Sequence, residues 1–146
     1  MEIGLRPVGW VENGITERRH SDEWREAISE VVIDPEYGDG LEGIEENSHI
    51  VVLFWLDRVA QEERKAGQIH PRQREELPRK GVFATRTARR PNPIGLTTAQ
   101  LVAREGNRLR VMGLDALDGT PVLDIKPYAK SFDCWPGATS PWWFQW

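Results

Sequence analysis

A chain of 146 residues, 39% of them apolar, has the size of one globular domain and can bury a core without covalent staples. The single Cys134 excludes an internal disulfide framework and any zinc site built from several thiolates. The formal charge of −4 hides an asymmetry: residues 58–90 hold ten of the 19 Lys and Arg and four acids, a local +6 against −10 elsewhere. That balance excludes a protein that coats nucleic acid over its whole surface, yet it suits one face steered toward phosphate.

No apolar run approaches the roughly 18 residues of a membrane span, the longest being residues 50–56. Residues 1–6 carry no basic stretch followed by an apolar core, so no signal peptide is expected. A reducing, cytoplasmic setting follows as an expectation.

In chain order, Ser21 is placed to cap a helix through Ser29, with Asp22 and Glu23 at the positive end of its dipole. Residues 31–33 form a β-branched run closed by Asp34-Pro35 and read as a strand. Residues 38–43 spell the GxGxxG fingerprint of dinucleotide-binding folds. Only five residues separate Gly43 from His49, too few for a crossover helix, and the acids around the motif would repel a pyrophosphate. The segment is a turn.

Residues 50–56 are apolar at every position, which predicts a strand buried on both faces. Residues 59–66 read as a polar helix and 62–80 as a basic connector, before a strand at 81–85. Strands at 97–103 and 109–114 flank Glu105-Gly106-Asn107, a hairpin in which Gly and Asn take the left-handed positions. The strand at 121–125 begins with Pro121, where a strand tolerates it. Many short strands and few helices predict a mainly β fold, a small closed or partly open β-barrel with a few short helices. A parallel Rossmann-type sheet lacks its helices. One domain over residues 1–146 is expected, ending in a Trp-rich tail from about 134 that holds four of the seven Trp.

His20, His49 and His70 share no ligand spacing, so no metal is expected. Cys134 has no local feature that activates a thiolate. Two stretches do carry chemistry. In residues 81–96, GVFATRTARRPNPIGL, a strand enters an Arg-rich loop, and Pro91 and Pro93 hold Asn92 in a stiff frame. Stiff loops bearing polar groups are frequently sites. In residues 114–128, LDALDGTPVLDIKPY, a tight turn at Asp118-Gly119 precedes Asp124, Lys126 and Tyr128, which alternate along an extended segment and so share one face. That face is either a salt-bridged rim or a site.

Together the two stretches resemble the signatures of the TsaA-like, or TrmO-like, tRNA methyltransferases, and residues 40–58 resemble the segment that precedes them in that family. The resemblance covers about residues 30–130. It implies a small β-barrel that binds S-adenosylmethionine as a homodimer and methylates N6 of threonylcarbamoyladenosine beside the tRNA anticodon.

Carried over by motif, it implies cofactor contacts from Arg86, Leu96, Asp115, Ala116, Leu117 and Asp118. It also implies Asp57 and Arg58 after the apolar strand, where the family more often has His, Gln or Lys. The Pro-Gly cofactor loop of longer members is missing from residues 18–27, so Trp24 is expected to supply part of that wall. The C-terminal domain of longer members is not expected here.

For the acceptor side, Asn92 and Asp124 are the candidates to take the N6 proton, Lys126 to hold a phosphate or the threonine carboxylate, and Tyr128 to stack on the base. Two rival readings remain, a barrel that binds S-adenosylmethionine for a different acceptor or a sensing role, and a plain RNA-binding barrel. The aromatic tail is to be covered by its own barrel, a second subunit or RNA bases.

Overall fold

In a computed structural model, residues 1–144 are described. The chain divides into two compact units, one of residues Met1–Trp55 and Gly95–Cys134, the other of Leu56–Ile94 and Trp135–Trp146. The larger unit is built on a closed six-stranded barrel; the smaller carries a two-stranded sheet.

The strands are β1 Gly9–Glu12, β2 Ile28–Ile33, β3 His49–Trp55, β4 Gln68–Ile69, β5 Lys80–Gly81, β6 Ile94–Glu105, β7 Arg108–Met112 and β8 Pro121–Pro127. Around the barrel their order is β1-β2-β7-β6-β3-β8. Antiparallel pairing of Gly9 with Val122 and Trp10 with Pro121 closes the ring, which leaves the barrel sheet without an edge. Closure demands tight approaches. A methyl group at Gly9 would fall on the Val32 carbonyl, and one at Gly95 on the ring of Phe54.

The interior is filled by inward residues of each strand, among them Val11, Val31, Ile50, Val52, Leu109, Val111 and Val122, all fully buried. Medium-sized β-branched side chains suit so narrow a barrel. β3 alternates rather than being buried on both faces: Ile50, Val52 and Phe54 point inward, and Val51, Leu53 and Trp55 are half-buried outside. Burial of both faces belongs to parallel sheets layered by helices; in a closed antiparallel barrel one face of each strand makes the core.

Several expected elements shift. The helix beginning at Ser21 ends at Glu26, because Ile28 already pairs with Met112 and Ser29 with Val111 in β2. His20 occupies the N-cap, so the Ser21 hydroxyl caps nothing. Residues 81–85 are strand only at Lys80–Gly81 and then tighten into a 3-10 turn over Val82–Ala84. Within residues 59–66 the helical part is the 3-10 turn Gln61–Glu63.

The sixth barrel strand is β1, short and Gly-containing, which sequence periodicity passes over. Residues 38–43 form a turn as expected, with Gly43 at φ 85°. In the β6–β7 hairpin Gly106 alone is left-handed. Asn107 instead donates its side-chain amide to the Ile33 carbonyl at 2.5 Å.

Candidate functional site

Strand directions bring particular loops to one barrel rim. β1 and β7 end there, and β2 and β8 begin there, because Ile28 pairs with Met112 and Trp10 with Pro121. The first residues of β6 reach past Met112, the partner of Gln100, toward the same rim. Leu96, exposed on β6, and the β7–β8 loop with Asp115, Ala116, Leu117 and Asp118 therefore share this end of the barrel.

That loop is fastened to residues 13–15. One carboxylate oxygen of Asp118 accepts the backbone N–H of Asn13 at 2.8 Å and of Gly14 at 3.0 Å. The Asp118 N–H donates to the Ile15 carbonyl at 2.8 Å. Asn13 closes the clasp: its side-chain amide donates to the Ala116 carbonyl at 2.8 Å and to the buried Ser29 hydroxyl at 3.0 Å. Its side-chain oxygen accepts from the Ile15 N–H at 2.8 Å.

Turn-forming Asn and Asp side chains commonly satisfy backbone donors in this way, and such bonds fix a loop that has no ladder. Asn13-Gly14 is a turn dipeptide, and that was the one signal in the sequence pointing to Asn13. Beside the clasp, residues 14–19 line a solvent-open hollow of about 270 Å³.

Asp115 points outward and accepts a short hydrogen bond from the Thr97 hydroxyl of β6. The Leu117 carbonyl takes the buried Thr120 hydroxyl at 2.7 Å, so Leu117 and Ala116 present backbone in fixed directions. Trp24, half-buried, lies in helix α1 Ser21–Glu26.

The acceptor-side residues are spread along β8. Asp124 and Lys126 lie opposite Leu53 and Val51, on the outer face of the barrel, and form an ion pair at 3.1 Å. Tyr128 lies at the opposite rim, about 23 Å along the strand from Pro121 at ~3.3 Å per residue. Its ring meets His49 edge-on at 6.3 Å. Burial, and then the neighbouring Cys134 and Asp133, push the Tyr128 phenol above its ordinary range. The strand thus keeps Asp124 and Lys126 together and sets Tyr128 apart from the clasped loop.

Asp57, Arg58, Arg86 and Asn92 belong to the smaller unit, and all four are exposed. Asp57-Arg58 forms a turn closed by the Val59 N–H on the Leu56 carbonyl at 3.1 Å. Asn92 is framed as its flanking prolines dictate, with Pro93 buried and its carbonyl accepting from Leu56 at 2.8 Å. The Arg90 guanidinium spans the carbonyls of Thr85 and Thr87, both at 3.1 Å, and so stiffens the Arg-rich loop.

His49 bonds the Ser48 hydroxyl at 2.8 Å, and His70 donates to the Leu77 carbonyl at 2.9 Å. Among the described residues no three His, Cys, Asp or Glu side chains converge as a metal-binding group. Trp143 is buried and stacks on Phe144 at 5.3 Å, so part of the tail packs on its own chain, whereas Trp142 is exposed. Trp146 lies outside the described residues.

Residues 17–134 match the family model of the tRNA-methyltransferase O N-terminal domain. The chain belongs to this family. It is 41% identical over 133 residues to an S-adenosyl-L-methionine-binding protein of Archaeoglobus fulgidus, covering 89% of this chain and 92% of that protein. It is 42% identical over 105 residues to the mouse tRNA (adenine(37)-N6)-methyltransferase, covering 68% of this chain but 22% of the mouse protein.

A crystal structure of TrmO from Pseudomonas aeruginosa superposes with a TM-score of 0.75 at 32% identity, over 96% of this chain and 62% of that one. The chain therefore spans less than two thirds of the solved relative. The small non-Rossmann barrel expected from the sequence is the barrel found.

Proposed function

We propose that this protein is an S-adenosylmethionine-dependent methyltransferase that acts on tRNA, at N6 of threonylcarbamoyladenosine beside the anticodon. The observation that carries the reading is the clasped Asp115–Asp118 loop, held in fixed geometry at one rim of the barrel in a chain of this family. The residues present fit the cofactor. An exposed carboxylate at Asp115 suits ribose hydroxyls or an amino group, Leu96 offers an apolar wall, and rigid backbone groups at Ala116 and Leu117 suit an adenine edge. When bound, S-adenosylmethionine supplies a sulfonium methyl group open to in-line displacement.

For such chemistry the protein chiefly holds two partners in line, about 3 Å apart. The clasp serves this by fixing the loop before ligand arrives, so that less ordering remains to be done on binding. N6 of a carbamoylated adenosine is a poor nucleophile, and an acceptor for its hydrogen helps. Asn92 and Asp124 are the two groups proposed for that role, with Lys126 to neutralise a phosphate or the threonine carboxylate. A homodimer is part of the same proposal.

The test is transfer of a labelled methyl group to tRNA, followed by mass spectrometry of the product nucleosides. Label in N6-methylated threonylcarbamoyladenosine is the expected result; label in another nucleoside moves the activity to a different acceptor. The Archaeoglobus fulgidus relative is named for binding alone, which favours a second reading, a non-catalytic sensor. A sensor binds S-adenosylmethionine in calorimetry and transfers nothing.

A further inference from the structure

The two compact units differ sharply in charge. The smaller one, residues Leu56–Ile94 and Trp135–Trp146, holds ten Lys and Arg against five acids, a formal +5. The barrel unit carries −9. The basic unit also holds large aromatic rings out in water: Phe83 is 78% exposed and Trp135 76%.

A single exposed apolar residue is ordinary, and so is a basic loop. The setting of Phe83 is not. It sits at the centre of a 3-10 turn, Val82–Ala84, of which the first residue, Val82, and the residue that follows, Thr85, are buried. The Thr85 hydroxyl donates to the Val82 carbonyl at 2.9 Å, and the Val82 N–H donates to the Gly67 carbonyl at 3.0 Å. The turn is thus closed on itself by Thr85 and tied at its start to Gly67, and its ring is presented on that support. Rigid rings lose little entropy when they are covered, and cations in the same unit suit the phosphates that join stacked nucleotides.

We infer that the smaller unit is the RNA-gripping element of this chain, its cations holding the phosphate backbone while Phe83 and Trp135 stack on unpaired bases. The inference rests on the tRNA reading and adds to it the surface and the mode of contact. Unpaired bases in a loop, not a duplex, are the form of RNA that such rings recognise.

The experiment measures binding of an anticodon stem-loop RNA by fluorescence anisotropy to the full chain and to Phe83→Ala, Trp135→Ala and Phe83→Trp. Affinity for S-adenosylmethionine and the mass by light scattering are followed in parallel. Each alanine variant is expected to bind the RNA about tenfold more weakly, with cofactor affinity and mass unchanged. Phe83→Trp is expected to hold affinity within about twofold.

Unaltered RNA affinity in both alanine variants overturns the stacking role while leaving the tRNA reading intact. A fall in mass overturns it too, since the rings would then be covered by a second copy. Should the unmodified chain bind S-adenosylmethionine but no RNA, the tRNA reading itself fails, and this inference with it.

Discussion

Asp118 holds the backbone of Asn13 across the mouth of the barrel, its carboxylate oxygen 2.8 Å from the Asn13 nitrogen and 3.0 Å from that of Gly14. Its negative charge therefore already serves two backbone donors, and its part in any ligand site includes shaping the loop. Asp118→Ala strands the part-buried Asn13 N–H, at a cost of about 1–3 kcal/mol, and returns the exposed Gly14 N–H to water. It is also expected to weaken S-adenosylmethionine binding at least about tenfold, about 1.4 kcal/mol. Asp118→Asn keeps one acceptor oxygen and should recover most of the stability. Urea unfolding and calorimetry measure the two effects; an alanine variant unchanged in both would remove the clasp from the account.

Gly95, near the end of the first signature, faces the ring of Phe54. Gly95→Ala puts a methyl group where that ring lies, and overpacking of this kind costs about 1–3 kcal/mol. Phe54→Leu alone loses packing in the core. Combined with Gly95→Ala it should lose less than the sum, because the smaller side chain vacates the space. A double-mutant cycle in urea reads this coupling, and strict additivity would contradict the contact.

Arg108 on β7 reaches Glu12 of β1 and Glu30 of β2, both at 2.7 Å. The Arg108 bond, followed by one from Trp10, holds the Glu12 carboxyl below its ordinary value of 4.5. A depressed folded-state value means that the unfolded chain binds the proton more readily as pH falls. The contribution is complete above the unfolded value and disappears as pH drops through the folded one. Glu12→Gln should therefore shrink the fall in urea midpoint between pH 6 and pH 3. A variant with the full acid dependence of the parent would show that Glu12 carries none of it.

The basic residues of the smaller unit separate into two tests. Neutralising Arg72, Arg74 and Arg79 together should weaken tRNA binding and flatten its dependence on salt, since fewer counterions are released. Cofactor affinity should stay within about twofold. Arg86→Ala should do the reverse, weakening S-adenosylmethionine at least about tenfold, as the first signature implies. An unaltered salt slope in the triple variant would reduce the connector to a solvated loop.

Local pattern determined much of this protein. The apolar run at 50–56, the strand pattern at 109–114, turn chemistry at Glu105-Gly106-Asn107 and the scarcity of helix-length segments were enough for a mainly β barrel, because strand periodicity and turns are properties of neighbouring residues. The two signatures likewise announced the family, since their stiff Pro-Asn-Pro and Asp-Gly segments stand in the sequence as written. Charge asymmetry was equally legible, being a matter of counting.

Only the tertiary structure decided what closes the barrel and what each polar group does there. β1 is four residues long, and its pairing with β8 joins positions more than 110 apart in sequence. No local pattern registers such a partner. The same distance hid the clasp: Asn13 and Asp118 are 105 residues apart. Asn13-Gly14 and Asp118-Gly119 are both turn dipeptides, and closure of the ring sets their loops side by side. Tyr128, in register with Asp124 and Lys126 by its spacing, reached the far rim because a strand at ~3.3 Å per residue carries its side chains apart as surely as it aligns them.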